Sequence, residues 1–175
     1  MPVLPIIKVP DPVLREVARP VERVDDEVKA LIANMLETMY RAPGVGLAAP
    51  QVGISRRIVV MDPADKDEGE TPQPLALINP RIVKLGGEKG MHEEGCLSLP
   101  GVKVEIERPT SLVVEYIDRN GLPQTLETDG FLATIIQHEL DHLDGKLIID
   151  FLSRLRRDII VRRFKKMARD EADKP

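Results

Sequence analysis

The sequence predicts an α+β fold: antiparallel or mixed sheets packed around one central helix, with a further helix towards the N-terminus and a basic helix at the C-terminus. Three observations predict it. Apolar residues recur at helical spacing near both ends of the chain and again around residue 138, whereas the middle consists of short alternating runs. The length, 175 residues, suits one domain with a substantial core. No internal repeat and no linker divides it, so residues 1–175 read as a single domain.

The proline-rich opening, MPVLPIIKVPDPVLR, is extended or turn-like, and it lacks the basic region and apolar core of a signal peptide. DDEVKALIANMLETMYRAPG is an amphipathic helix. Val28, Leu31, Ile32, Met35, Leu36 and Met39 form its apolar stripe, Asp25 or Asp26 caps its start, and Pro43-Gly44 end it. RRIVVMD reads as a strand, and residues 62–74 as an exposed polar loop. LALINP and RIVKL read as two strands, and VKVEIERP as a half-buried one. TSLVVEYIDRNGLPQTLET reads as a hairpin, with Asn120-Gly121 supplying the positive φ angles of a tight turn. The central helix follows, capped at its start by Thr128 or Asp129 and at its end by Gly145. FLSRLRRDIIVRRFKKMARD is the basic helix, docked through Leu152, Leu155, Ile159, Ile160, Phe164 and Met167, and residues 170–175 are a disordered tail.

Composition excludes several function classes. The formal net charge is −4 and aromatics are 3%, which speaks against DNA binding and against a base-stacking platform. No apolar run approaches the roughly 20 residues that span a bilayer. The single cysteine, Cys96, rules out a disulfide within the chain and points to a reducing compartment, the cytoplasm.

The chemistry concentrates in QHELDH, residues 137–142. On a helix, His138 and His142 stand one above the other and can bind one metal ion. Glu139 lies beside that ion, placed to take a proton from a water. Phe131 and Ile135 continue the stripe as an apolar wall. A buried histidine pair with a glutamate needs partners, which favours a metal over an incidental amphipathic helix. A catalytic site commonly has three protein ligands and an open position. Asp144 and Asp150 lie too close along the chain. Upstream, MHEEGCLSLPG offers Cys96, and His92 as second choice; thiolate is the stronger donor for a borderline metal.

APGVGLAAPQVG is the other informative stretch. Gly44, Gly46 and Ala49 match a dinucleotide-binding pattern, but they follow a helix rather than a strand, and Pro50 falls where the new helix should run. The stretch reads better as a loop along a ligand, where glycines admit close backbone approach and the Gln51 amide can meet an oxyanion.

Three motifs therefore stand in order: GVGLAAPQ at 44–51, EGCLSLP at 94–100 and QHELDH at 137–142. Together they closely resemble the peptide deformylase family, across nearly the whole chain. The resemblance implies a hydrolase that removes the formyl group from the N-terminal methionine of nascent polypeptides. It implies that Cys96, His138 and His142 hold the metal and that Glu139 is the general base and acid. It puts the Gln51 side chain and the Leu97 N–H on the oxyanion. It gives Val45, Gly46 and Gly95 to the substrate main chain, and Phe131 and Ile135 to the methionine pocket. The family is known for Fe2+ in cells, with Zn2+, Ni2+ or Co2+ as substitutes. The expected partners are N-formylmethionyl peptides and, through the basic C-terminal helix with its eight Lys or Arg residues between Arg154 and Arg169, the ribosome. A general metallopeptidase would want a ligand downstream of His142, and a non-enzymatic ribosome-binding protein would leave EGCLSLP and QHELDH unexplained.

Overall fold

A computed structural model describes residues 2–174. Its centre is one antiparallel sheet in the order β1-β2-β3-β4-β5: β1 Gly46–Ala48, β2 Ile58–Met61, β3 Leu75–Cys96, β4 Leu99–Ile117 and β5 Pro123–Asp129. Three helices complete it: α1 Asp26–Arg41, α2 Gly130–Leu143 and α3 Arg154–Ala172.

β2 explains the layering. Its residues alternate sides, yet all four are buried, because each face carries a helix. Ile58 and Val60 meet Ile32, Met35 and Met39 of α1. Val59 and Met61 meet Ala133, Ile136 and Leu140 of α2. Truncating a fully buried side chain here, such as Met35, costs about 2–5 kcal/mol. A third cluster lies under the β3–β4 hairpin, where Val104 and Ile106 pack with Ile148, Ile149 and Phe164. α1 starts as expected: the Asp25 carboxylate accepts from the Val28 N–H at 3.0 Å.

Several expectations are corrected. LALINP and RIVKL belong to one 22-residue strand, and VKVEIERP and TSLVVEYI to one of 19. Register shifts at Ile78/Arg81, Ile82/Lys84 and Gly86/Lys89 interrupt the alternation that would have shown their continuity. The first shift contains Asn79, at φ 51°, whose side chain exchanges two 2.8 Å hydrogen bonds with the Val21 backbone. The β4–β5 connection is the longer loop 118–122, not a two-residue turn. Gly121 alone takes a positive φ there, and the Asp118 carboxylate accepts from Asn120 and Leu122 N–H. α2 begins after Asp129, whose side chain makes no capping bond. At its end Gly145 has φ 74°, and the Lys146 N–H returns to the Asp141 carbonyl, a left-handed cap.

α3 departs most. Of the stripe expected to dock it, Phe164 is buried and Ile160 half-buried, but Leu155, Ile159 and Met167 are 72%, 57% and 48% exposed. The helix also runs through Ala172, across residues expected to be a tail; Pro175 lies outside the described residues. Residues 62–74 form neither helix nor strand, and all of 66–72 are exposed. No helix among the described residues is long and apolar enough to cross a membrane.

Candidate active site

Two elements deliver the metal-ligand candidates. α2 carries His138 and His142 one turn apart on a helix held by the core. β3 ends at Cys96, where a register shift between Gly95 and Cys96 and the tight turn to Leu99 re-aim the strand. The donor atoms of Cys96, His138 and His142 all lie within 4.8 Å of one another, and Cys96 Sγ is 3.4 Å from His142 Nε2. Metal–ligand lengths of about 2.0–2.3 Å at tetrahedral angles would separate neighbouring donors by roughly 3.3–3.6 Å. The three residues therefore fit one divalent ion. His92, the second choice, is exposed and outside this group. Asp144 and Asp150 pair instead with Arg57 and Arg15.

Behind His138 stands a buried polar network that sequence reasoning did not assign. His138 Nδ1 lies 2.9 Å from Glu94 Oε1, so Nδ1–H donates to the carboxylate and Nε2 is left for the ion. Arg108 grips Glu94 through two bonds, at 2.6 and 2.9 Å, and reaches Asp141 at 3.1 Å. Burial works to raise the Glu94 pKa, but hydrogen bonds from His138 and Arg108 and the Arg108 charge outweigh it, and the group sits below the usual carboxylate range. The sequence did contain a signal. Val102, Val104 and Ile106 face inward along β4, and Arg108 is the next position in that period. A charge in core register needs a buried counter-charge.

Glu139 lies one residue beyond His138 and is 4% exposed. Its Oε1 has no hydrogen-bond partner within the protein. Burial, with the Glu94 and Asp141 charges adding to it, pushes its pKa up to about 7, where one group can both accept and donate a proton near neutrality. Burial holds His142 well below the usual imidazole range, hence neutral.

Gln51 sits in the 3₁₀ turn Ala49–Val52 after β1. Its Oε1 accepts from the Ala48 N–H at 3.0 Å, which fixes the amide orientation. Nε2 donates to Ser98 Oγ at 3.1 Å and lies 3.5 Å from Cys96 Sγ, so it faces the metal-ligand group. Ser98, fully buried, is a further residue the sequence reading left without a role.

An open cavity of about 690 Å³ reaches this group. Val45, Gly46, Gln51, Gly95, Cys96, Leu97, Phe131, Ile135, His138 and Glu139 all line it, which brings together every expected site residue except His142, buried behind. Phe131 is 56% exposed at the mouth, whereas Ile135 is 4% exposed within. β1 is the edge strand of the sheet, and at Gly46 it comes so close to α2 that a Cβ there would run into Glu139 Oε2.

The geometry can be set beside known proteins. The family model described as polypeptide deformylase matches residues 3–158. Peptide deformylase of Rhizobium meliloti is 50% identical over 174 residues, covering 99% of each chain, and that of Agrobacterium fabrum is 52% identical over 169 residues, covering 97% of this chain and 98% of its own. Among solved structures, a peptide deformylase from Ehrlichia chaffeensis superposes with a TM-score of 0.90 at 39% identity, covering 98% of this chain and 99% of its own. Another from that organism, in complex with actinonin, gives 0.89 at 41%, covering 95% and 98%. The fold, the motif order and these likenesses agree, and the chain belongs to the polypeptide deformylase family.

Proposed function

We propose that the chain removes the formyl group from N-formylmethionine at the start of nascent polypeptides, with Cys96, His138 and His142 holding one divalent ion and Glu139 moving the proton. The observation that carries the residue assignment is the convergence of Cys96, His138 and His142 beside a buried Glu139 with an unpartnered oxygen. The family supplies the reaction. An ion held there supplies Lewis acidity and lowers the pKa of a water towards neutrality. Glu139 accepts a proton from the attacking water and returns it to the departing amine nitrogen. The Gln51 Nε2–H and the Leu97 N–H meet the oxyanion; losing one such donor typically costs about 3 kcal/mol of barrier. Val45, Gly46 and Gly95 pair with the extended peptide main chain, as an added strand pairs with a sheet edge. Phe131 and Ile135 wall the methionine side chain. The close approach of Gly46 to Glu139 leaves little room beside the reacting carbon, so the site admits formyl, which bears only hydrogen, and rejects larger acyl groups.

Comparing formyl- with acetyl-Met-Ala-Ser tests that filter, and equal rates would remove it. Glu139→Ala separates the roles: it keeps the ion and loses most turnover. Loss of the ion in that variant would make the glutamate structural.

The donor set accepts several divalent ions. The family resemblance favours Fe2+ in cells, with Zn2+, Ni2+ or Co2+ as substitutes, and elemental analysis of protein purified without oxygen reads the outcome. A lone free cysteine among these donors suits the reducing cytoplasm. The ribosome is the proposed second partner. What supports it is α3, which exposes Leu155, Ile159 and Met167 among its basic residues. Co-sedimentation with ribosomes, with and without the residues after Ser153, tests it; unchanged binding discards it.

A further inference from the structure

Asp62 follows β2 and begins the 62–74 segment, yet it is only 3% exposed. A buried carboxylate has to be satisfied from within. Its Oδ2 accepts from the Tyr40 hydroxyl at 2.6 Å. Its Oδ1 accepts from the Ala64 N–H at 2.9 Å and the Gln73 N–H at 3.1 Å. Its own N–H donates to the Val45 carbonyl at 2.9 Å. The Lys66 ammonium lies 3.7 Å from the Tyr40 ring centroid and brings a cation to the pair.

These bonds join the last turn of α1, both ends of the 62–74 segment and the residue that leads into β1. Between Tyr40 and Val45 the chain has little freedom. The Gly44 N–H returns to the Met39 carbonyl at 2.7 Å, and Ala42 to Gly46 all line the cavity. Both anchors of this cavity wall converge on one residue, the end of α1 through the Asp62 carboxylate and the start of β1 through the Asp62 N–H.

We propose that the Tyr40–Asp62 pair positions the Val45–Gly46 edge against which the peptide main chain pairs, and so governs peptide binding rather than proton transfer at the formyl group. The proposal rests on the reading of β1 as the substrate edge. Tyr40 removes its slack at the helix end and Asp62 at the strand. Without the hydroxyl, the carboxylate keeps its two backbone donors but loses its tie to α1, and the edge shifts relative to Gly95 across the cavity. Substrates that use the edge lose more than substrates that do not.

The test compares formyl-Met-Ala-Ser with formyl-methioninamide, which lacks the downstream main chain. In Tyr40→Phe the ratio of kcat/KM for the tripeptide to that for the amide falls about three- to tenfold, the worth of one or two displaced hydrogen bonds. The loss appears in KM of the tripeptide, with its kcat and the metal content unchanged. Asp62→Asn moves the ratio the same way. A merely structural role would lower the active fraction, and so depress both substrates equally; that result, or an unchanged ratio in Tyr40→Phe, overturns the proposal. Failure of the activity reading itself looks different, because the wild-type chain would then release formate from neither compound.

Discussion

Replacing Gly46 with alanine adds one methyl group where the structure has no room for it. The new Cβ would collide with Glu139 Oε2 and lie 2.9 Å from Cδ and 3.1 Å from Cγ. Gly46 does not have a left-handed φ, so alanine suits the backbone and the conflict is purely between the methyl and the carboxylate. Ordinary van der Waals separation requires the oxygen to retreat by about 1 Å. The helix backbone of α2 is held by the core, so the side chain must rotate away instead. A misplacement of about 1 Å in a reacting group costs on the order of 10²-fold, or about 2.7 kcal/mol of barrier. Formate release from formyl-Met-Ala-Ser by Gly46→Ala should therefore show kcat/KM lowered about 100-fold. Metal content should be unchanged, because the ligands are not among the nearest atoms to the new methyl. Thermal unfolding should shift little. A variant within threefold of wild type would refute the reasoning: the carboxylate would then not be held where proton transfer needs it.

Other perturbations test the supporting structure. Glu94→Gln keeps the shape but removes the charge that faces Arg108 and orients His138, leaving the buried guanidinium with only Asp141. Breaking such a pair costs about 3–5 kcal/mol, and losing a partner behind a metal ligand typically costs 10–100-fold in affinity; a competition titration with a chelator and a denaturant melt measure both, and unchanged values for both would contradict the network. Asp150 tests the pH dependence. Burial works to raise its pKa, but the Arg15 hydrogen bonds, the Leu147 N–H and the Arg15 charge outweigh it, so the folded value is depressed. Its stabilising contribution is then present above the unfolded carboxylate value of about 3.9 and lost as pH falls through the folded one. Asp150→Asn should be less stable than wild type at pH 7, with the gap closing on acidification; a gap that widens on acidification would reverse the sign.

The helices and the three motifs were legible because their signals are local. Val28, Ile32, Met35 and Met39 mark α1 by spacing alone, and His138 and His142 mark one face of α2. Cys96 was reachable by the poverty of other strong donors. The lengths of β3 and β4 were hidden because bulges reset the alternation, as at Asn79 and across Gly86–Lys89. The uncovered side of α3 was hidden for another reason: Leu155 and Ile159 look like docking residues, and only the placement of the hairpin beneath shows that Ile160, Val161 and Phe164 take that role. The network behind His138 joins Glu94, Arg108 and Asp141 from two strands and a helix, and ties of that kind leave only oblique traces in a sequence. Arg108, standing in the inward register of β4, was that trace.

The most direct measurement is formate release from formyl-Met-Ala-Ser by protein purified without oxygen, followed through removal and return of its metal. Turnover should vanish when a single bound ion is stripped, return when the ion is restored, and stay lost in Cys96→Ala. Formate release that survives stripping, or a Cys96→Ala chain that binds the ion and turns over as the wild type does, would contradict the shared site.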